Sequence, residues 1–586
     1  MLNGQDQSRP IDSTISKRLS WSRLVGRRVV ELVLFIALAI ALTWPLTKRL
    51  SRDFPLGTEP SPSIVGFNIW TLWWNVDRIE HGYQDYWDAP IFHPVRDTFA
   101  FSEAQPLTGL IAAPILWISR SPILTYNLVL LSALVANGWT AYGLQRAIGL
   151  GRAAALAGGA MTEALPFVHH ELGVLQLVPL AGVIATIWAL VRFGQRPGLM
   201  RGAVLGVAAA STLMMCNYYV LALASVLICG GWWLVAPALR KRETWMGLAL
   251  AFCVAMLLTG PVITAQLRAS KNHDFAGQRT LEKITSLSLR LTNYMRTPWP
   301  ARVPFPGVSK ARDAECRGFW PGTVKLGLAV AGIALGLTSR RHRKWSAFCV
   351  TMFLVGFVLS LGPNLSMGSV QPYLWLRENV PGFSQIRSPF RFAMLPSLAV
   401  ALLAPIVLDR IQFTVRRLKR LDRPVRARML GILLVILSLM ATADVWPQRQ
   451  RLFTPPGHQS AWVQWIASQT PTNAVFAFLP FPRDRFDYGN TMYWMFRQME
   501  HGRTLLNGYS GFFPKSFILL SQQMYFFPQQ IDLRPLIAAG ADYIVVARND
   551  AGRQQIEDPR ASGQRVRWVF SDEIEGVDIY KVVAPP

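Results

Sequence analysis

Eleven runs of apolar residues punctuate the chain, near 29–47, 123–145, 153–168, 173–191, 202–216, 218–238, 246–266, 322–338, 345–361, 390–409 and 429–446. A helix that crosses a bilayer needs about 20 largely apolar residues, because lipid offers no partner to an open backbone N–H or C=O. The pattern predicts a mainly α, polytopic membrane protein with about 11 transmembrane helices. A further run, 107–118, is too short to cross and reads as re-entrant or interfacial. The polar junctions alternate in character. One set is basic: Arg146 and Arg152; Arg192, Arg196 and Arg201; Arg240, Lys241 and Arg242; Arg340, Arg341, Arg343 and Lys344; and the run from Arg410 to Arg428. The other set comprises 48–122, 169–172, 217, 267–321, 362–389 and everything from 447 on. Short basic junctions stay in the cytoplasm. With Lys17, Arg18, Arg23, Arg27 and Arg28 ahead of the first run, this predicts a cytoplasmic N-terminus and an extracytoplasmic C-terminus. The expected location is the cell inner (cytoplasmic) membrane. No small-x-small cleavage site follows the first run, which therefore reads as a retained anchor.

Three regions follow. Residues 1–28 form a cytoplasmic N-terminal arm, 29–446 a transmembrane domain with a large first outer loop at 48–122, and 447–586 a small extracytoplasmic α/β domain. Within the tail, 459–469, 490–500 and 533–539 have helical spacing. The stretches 474–479, 542–547, 565–570 and 577–583 are rich in β-branched and aromatic residues and read as strands.

Composition narrows the function. A net charge of +26 over 586 residues would suggest nucleic acid in a soluble protein. Here much of it lies in cytoplasmic junctions, where it suits an anionic leaflet, so no nucleic-acid partner is expected. Four of the five cysteines fall in or beside spans, and no disulfide framework is implied. The chain has no P-loop, GxSxG, HExxH or CxxC, which argues against an ATPase, a serine hydrolase or a zinc protease.

The first outer loop holds the densest chemistry. Trp70, Trp73 and Trp74 lie on a helical pattern from Ile64 to Ile79. They read as an interfacial amphipathic helix, or as an aromatic wall for a sugar or polyprenyl chain. Among its acids, Asp53 and Glu59 follow the first span closely, and Glu103 precedes the short run, where amides at its helix N-terminus would meet it. A carboxyl near a low-dielectric surface takes a raised pKa and serves as a general base. Glu163 falls inside a span, which costs about 2.5–3.5 kcal/mol at mid-membrane and usually marks a polar cavity. His169, His170 and Glu171 follow at the outer mouth, as substrate hydrogen-bonders, as a divalent metal site, or as an ordinary hydrated loop. Their adjacency makes one shared ion difficult. Arg387 and Arg391 stand just before the tenth span, suited to a phosphate or to simple anchoring. In the tail, His501, Asn507, Gly508, Tyr509 and Gly511 form either an acceptor-contacting loop or a structural turn.

Several phrases carry a resemblance: NIWTLWW followed by APIFHPVRDTFAFSEAQPLTGLIAAPI, HHELGVLQLVPL (169–180), PGFSQIRSPFRFAMLPSLAVALLA (381–404) and HGRTLLNGYSGFFP (501–514). On these and on its topology the chain resembles the GT-C glycosyltransferase superfamily, and more narrowly the bacterial YfhO-like and GT-C-like multispanning proteins. The resemblance implies a lipid-linked sugar donor, a polyprenyl phosphate, taken from the outer leaflet among membrane lipid. It implies an envelope acceptor (glycan, lipid or protein) and an early-loop carboxylate as base. By position that base is Glu59, with Asp53 second; Glu103 stays a further candidate in the same loop. Arg387 or Arg391 would hold the phosphate, and His169, His170, Glu171, Glu163, Trp73 and Trp74 would line the substrate. A divalent cation, Mg or Mn, is an open option. The stretch GTEPSPS around Glu59 lacks the paired acids common in that loop. Two rival functions therefore stay open: a transporter or flippase of lipid-linked intermediates, and a non-catalytic envelope assembly protein.

Overall fold

Each apolar run is largely helical. A computed structural model describes residues 11–583 apart from 277–279, 299–300, 303–308, 311–316, 367, 369, 422, 456, 458–459, 484–487, 548–555, 557 and 559–564, with side chains from residue 26 onward. The first ten residues of the arm and the side chains of Lys17, Arg18 and Arg23 lie outside that description. Helices run in the order α1 Ile11–Leu42, α2 Ser63–Glu80, α3 Pro106–Ser119, α4 Pro122–Ala147, α5 Arg152–Glu163, α6 Pro166–His170, α7 Ala181–Gln195, α8 Leu199–Met215, α9 Asn217–Gly230, α10 Trp232–Val235 and α11 Arg242–Asn272. Among the described residues six helical stretches are long and apolar enough to cross a membrane: Pro122–Ala147, Leu175–Gln195, Arg242–Asn272, Arg343–Asn364, Pro389–Arg420 and Pro424–Ala443. A seventh arises if α9 and the following Trp232–Ala238, bent by 54° at Gly230 and Gly231, count as one span. The runs at 202–216 and 322–338 form the shorter apolar helices Leu199–Met215 and Thr323–Thr338. The run at 107–118 becomes α3, also short.

The run at 153–168 is not continuous. Helix α5 stops at Glu163, and Leu165 is extended with φ −62° and ψ 126°. Pro166 explains this, since the residue before a proline is driven out of the helical region. Helix α6 then turns the chain into the loop that carries His170 and Glu171.

In the tail a five-stranded sheet forms from β1 Val475–Leu479, β2 Thr504–Leu505, β3 Tyr543–Ala547, β4 Arg565–Asp572 and β5 Val577–Val583, in the order β4-β5-β3-β1-β2. The predicted tail strands all appear, as do helices Ala461–Gln469, Gly489–His501 and Arg534–Ala538. Strand β1 is buried at all five positions, as expected of a central strand covered on both faces.

The segment between α1 and α3 packs against this sheet. His93 N donates to Leu505 O at 3.0 Å and Leu505 N to Pro90 O at 3.0 Å, so residues 90–93 close the edge beside β2. Covering an edge in this way satisfies its open backbone groups. Helix α2 lies between α3 and the tail helix Gly489–His501. Trp70 is fully buried and its Nε1 donates to Gln498 Oε1 at 2.9 Å. Asn75 Nδ2 donates to Ala104 O at 2.8 Å and fixes α3 on the opposite side. The interfacial reading of α2 is therefore corrected. Twelve of its eighteen residues are buried, because the tail covers the face that would otherwise meet lipid headgroups.

Candidate active site

The loop after Asp53 is stitched to the loop after α6. Gly57 sits in the left-handed region at φ +57°, where a Cβ would stand 2.8 Å from Gly173 N. Thr58 Oγ1 donates to His170 O at 2.9 Å. A Cβ on Gly173 would stand 2.3 Å from Leu56 O and 3.0 Å from Glu59 Cγ. Two glycines thus let the loops touch and lay the Glu59 stem over residue 173. From the other side Arg451 Nη2 donates to Glu59 O at 2.5 Å, and Phe54–Pro55 pairs antiparallel with Leu452–Phe453.

Glu59 faces a concentrated set of charges. Burial, reinforced by the carboxylate of Glu171, pushes its pKa up to about 7 against the opposing pull of Arg391, Arg317 and Arg387. Glu103 joins from the end of the first outer loop. Its Oε2 accepts from Asn217 N at 3.3 Å, and its Oε1 is buried without a hydrogen-bond partner. Burial lifts its pKa to about 7, with Arg391, the Asn217 amide and the Cys216 thiol pulling the other way. The helix N-terminus it meets is that of α9, not of α3 as the sequence suggested. The chain passes from Glu103 through α3 and back before the contact forms, so spacing alone pointed to the wrong helix.

Glu171 and His170 pair at 2.8 Å, both buried. For Glu171 burial acts upward, but the hydrogen bond from His170 and the charges of His170, Arg391 and Arg317 outweigh it and hold the pKa below its usual value. His169 turns the other way, its Nε2 3.1 Å from Glu163 O. Burial takes its pKa down to about 4. The His-His-Glu trio therefore splits to two sides. Among the described residues no group of three or more His, Cys, Asp or Glu side chains is arranged to hold a metal ion. Those residues do not fit a divalent cation, and no step below uses one.

Arg391 is the common member. Its charge acts on Glu59, Glu103 and Glu171 alike. Its guanidinium lies 4.4 Å over the ring of Tyr218, and its Nε is buried without a hydrogen-bond partner. Arg317 stacks 4.1 Å over Phe390. Arg387 is near enough to act on Glu59, Arg317 and Tyr509. The site thus gathers three carboxyls and three arginines: Glu59 and Glu103 from the segment between α1 and α3, Glu171 from the loop after α6, Arg317, Arg387, and Arg391 from the turn Pro389–Ala393.

The remaining candidates lie elsewhere. Asp53 is buried and committed: Arg49 Nη1 stands 3.2 Å from its Oδ2, and Thr454 Oγ1 donates to its Oδ1 at 2.8 Å. Glu163 ends α5 with neither carboxyl oxygen hydrogen-bonded, and a Cβ on Gly138 would stand 2.7 Å from its Oε2. Trp74 is buried and donates to Tyr86 O at 3.0 Å, while Trp73 lines a separate cavity. In the tail, Asn507 bonds the backbone of Phe478 through both side-chain atoms, at 2.7 and 2.9 Å. His501 accepts from Arg503 N at 3.0 Å, so both serve the tail's own structure. Tyr509 alone of that loop comes near Glu59 and Arg387.

Sequence reasoning missed Arg317, Tyr218 and Tyr126. The hydroxyl of Tyr126 is buried without a partner within reach of the Glu59 charge. Arg317 lies in a long polar stretch, where its aromatic neighbours Phe319 and Trp320 are a local sign of packing.

No family model and no curated protein matches the sequence. Solved structures do. Over 95% of its length the chain is similar to the cryo-EM structure of the arabinofuranosyltransferase AftD from mycobacteria, with a TM-score of 0.53 and 16% identity. The chain shares the fold of that structure. It covers 40% of AftD, so it spans about two fifths of that protein's length. A weaker likeness, at a TM-score of 0.40 and 11% identity, is to ArnT from Cupriavidus metallidurans bound to undecaprenyl phosphate, covering 96% of this chain and 99% of that one.

Proposed function

We propose that this GT-C-like chain is a membrane glycosyltransferase, moving a sugar from a polyprenyl-phosphate-linked donor to a cell-envelope acceptor on the outer face. The observation that carries the reading is the meeting of two carboxyls poised near neutrality with three arginines, of which Arg391 acts on both carboxyls. A general base works best with a pKa close to the working pH, and guanidinium groups suit a phosphate in pairs. Glu59 takes the proton of the acceptor hydroxyl as its oxygen attacks the anomeric carbon. The bond from that carbon to the phosphate oxygen breaks, and its electron pair leaves with the phosphate. Arg391 and Arg387 hold the charge that develops there, with Arg317 beside them. Glu171, kept ionised by His170, positions Arg391.

In the same reading the chain crosses the inner membrane eleven times, with residues 1–28 inside, 29–446 as the membrane domain and 447–586 outside. The alternation of basic junctions supports that orientation. The fold shared with AftD supports sugar transfer as the reaction class.

The test is transfer from a labelled polyprenyl-phosphate sugar in membranes holding the full chain or a variant. Glu59→Gln is expected to lower the rate by about 10²- to 10⁴-fold, the span of general-base effects. Full activity in both Glu59→Gln and Glu103→Gln overturns the mechanism. Movement of intact donor across the bilayer without any product selects the transporter instead.

A further inference from the structure

A cavity of about 450 Å³ opens at the outer end of α4, apart from the carboxyl–arginine cluster. Its size falls in the roughly 300–1,000 Å³ range of small-molecule sites. Three elements wall it. Helix α2 supplies Trp73 and Glu80, the end of α3 supplies Trp117 and Arg120, and the tail helix supplies Glu500. Glu80, Trp117, Arg120 and Glu500 are exposed, and Trp73 is half-buried. Glu500 also holds Arg497 at 3.0 Å. Two carboxylates and one guanidinium thus surround two indoles.

An apolar stripe leads away from the cavity. On α3, Leu110, Ile111, Trp117 and Ile118 are 44%, 39%, 50% and 87% exposed. Their spacing puts them on one face of this 14-residue helix. A face of that kind beside the outer end of a span meets lipid, and Trp117 sits where tryptophan is enriched, at the border of lipid and water.

We propose that this cavity binds the headgroup of a zwitterionic aminophospholipid, its ammonium between Glu80, Glu500 and the two indoles, its phosphate on Arg120, and its acyl chains along the α3 stripe. The faces of indole rings attract a cation, and carboxylates accept from an ammonium. Arginine matches the geometry of a phosphate. An anionic headgroup lacking the amine would use Arg120 but bring no cation to the two carboxylates. A free sugar would leave both Arg120 and the apolar stripe without a role. The bound lipid would link α2, α3 and the tail helix to the outer leaflet at a point remote from the transfer site.

The test is native mass spectrometry of the full chain in detergent, titrated with dioleoyl phosphatidylethanolamine and, separately, dioleoyl phosphatidylglycerol. The ethanolamine lipid is expected to bind about tenfold more tightly, the scale of a single well-placed charge contact. Glu80→Gln combined with Trp117→Ala is expected to abolish that preference. Both side chains are exposed, so the variant retains the fold, and an unchanged melting temperature checks this. Equal binding of the two lipids by the native chain, or a preference that survives the double substitution, overturns the proposal.

Discussion

At the scale of single residues the site is governed by where the protons rest. Glu59 and Glu103 both have pKa values raised from 4.5 to about 7, in each case chiefly by burial. If Glu59 is the base, transfer must rise with pH through about 7, as the carboxylate form fills. The limb should vanish in the residual activity of Glu59→Gln, and a pH–rate profile of both proteins checks it. Stability moves the opposite way. Between pH 4.5 and about 7 the folded chain holds a proton on each group that the unfolded chain has released. The folded state therefore binds more protons, and stability falls as pH rises through that window. At 1.36 kcal/mol per pKa unit, each carboxyl costs on the order of 3 kcal/mol above pH 7. Glu103→Gln removes one such burden. Its melting temperature should match the native chain at pH 5 and exceed it at pH 8. Of these residues the sequence singled out Glu59, Glu103, Arg387 and Arg391 by type and by place in outer loops. It could not foretell that Asp53 would be spent on Arg49 and Thr454, because Thr454 comes from a segment 401 positions away.

At the scale of elements, periodicity carried far. The tail strands and helices and the helix over residues 64–79 were legible because period-2 and period-3.6 patterns hold within each segment. Partners were not legible. The sequence pattern of α2 is the same whether its tryptophans face headgroups or a protein core, and only the tail helix decides between them. The loop pair at 56–59 and 170–173 makes a similar point, since two glycines in different loops mean little until the loops are seen to touch. Gly173→Ala tests that contact. The new Cβ would press on Leu56 O and on the stem of Glu59, displacing the carboxylate by a fraction of an ångström or more. A shift of about 1 Å in a catalytic group costs around 10²-fold in rate. The expected result is a transfer rate down by about that factor with helical content unchanged by circular dichroism. A rate within a factor of two of the native chain would show that the stitch does not position Glu59.

At the scale of the whole molecule, the first outer loop and the tail form one aromatic core. Trp70, Trp74, Phe92, Phe99 and Phe101 share a cluster with Phe476, Phe478, Met495 and Phe517. Six helices long enough to cross a membrane came readily from the chain, because apolar length is a local signal. This shared core did not, because it joins parts separated by some four hundred residues. A chain ending after Asp444 keeps every membrane helix but loses the cover over α2. It should insert, lose transfer activity, and expose the loop at 63–101 to added protease in spheroplasts, whereas the full chain is cleaved there slowly. Equal protection in both chains would mean the tail is only an appendage.

The bond from Trp70 to Gln498 spans 428 positions. At about 5–20 residues per second a ribosome needs roughly 20 to 90 seconds to make the intervening chain. During that interval the first loop has its aromatic face uncovered and its edge at 90–93 unpaired. The last segment to be made therefore completes a core begun by the first. A chain stalled anywhere in between presents a sticky, unfinished loop to quality-control proteases.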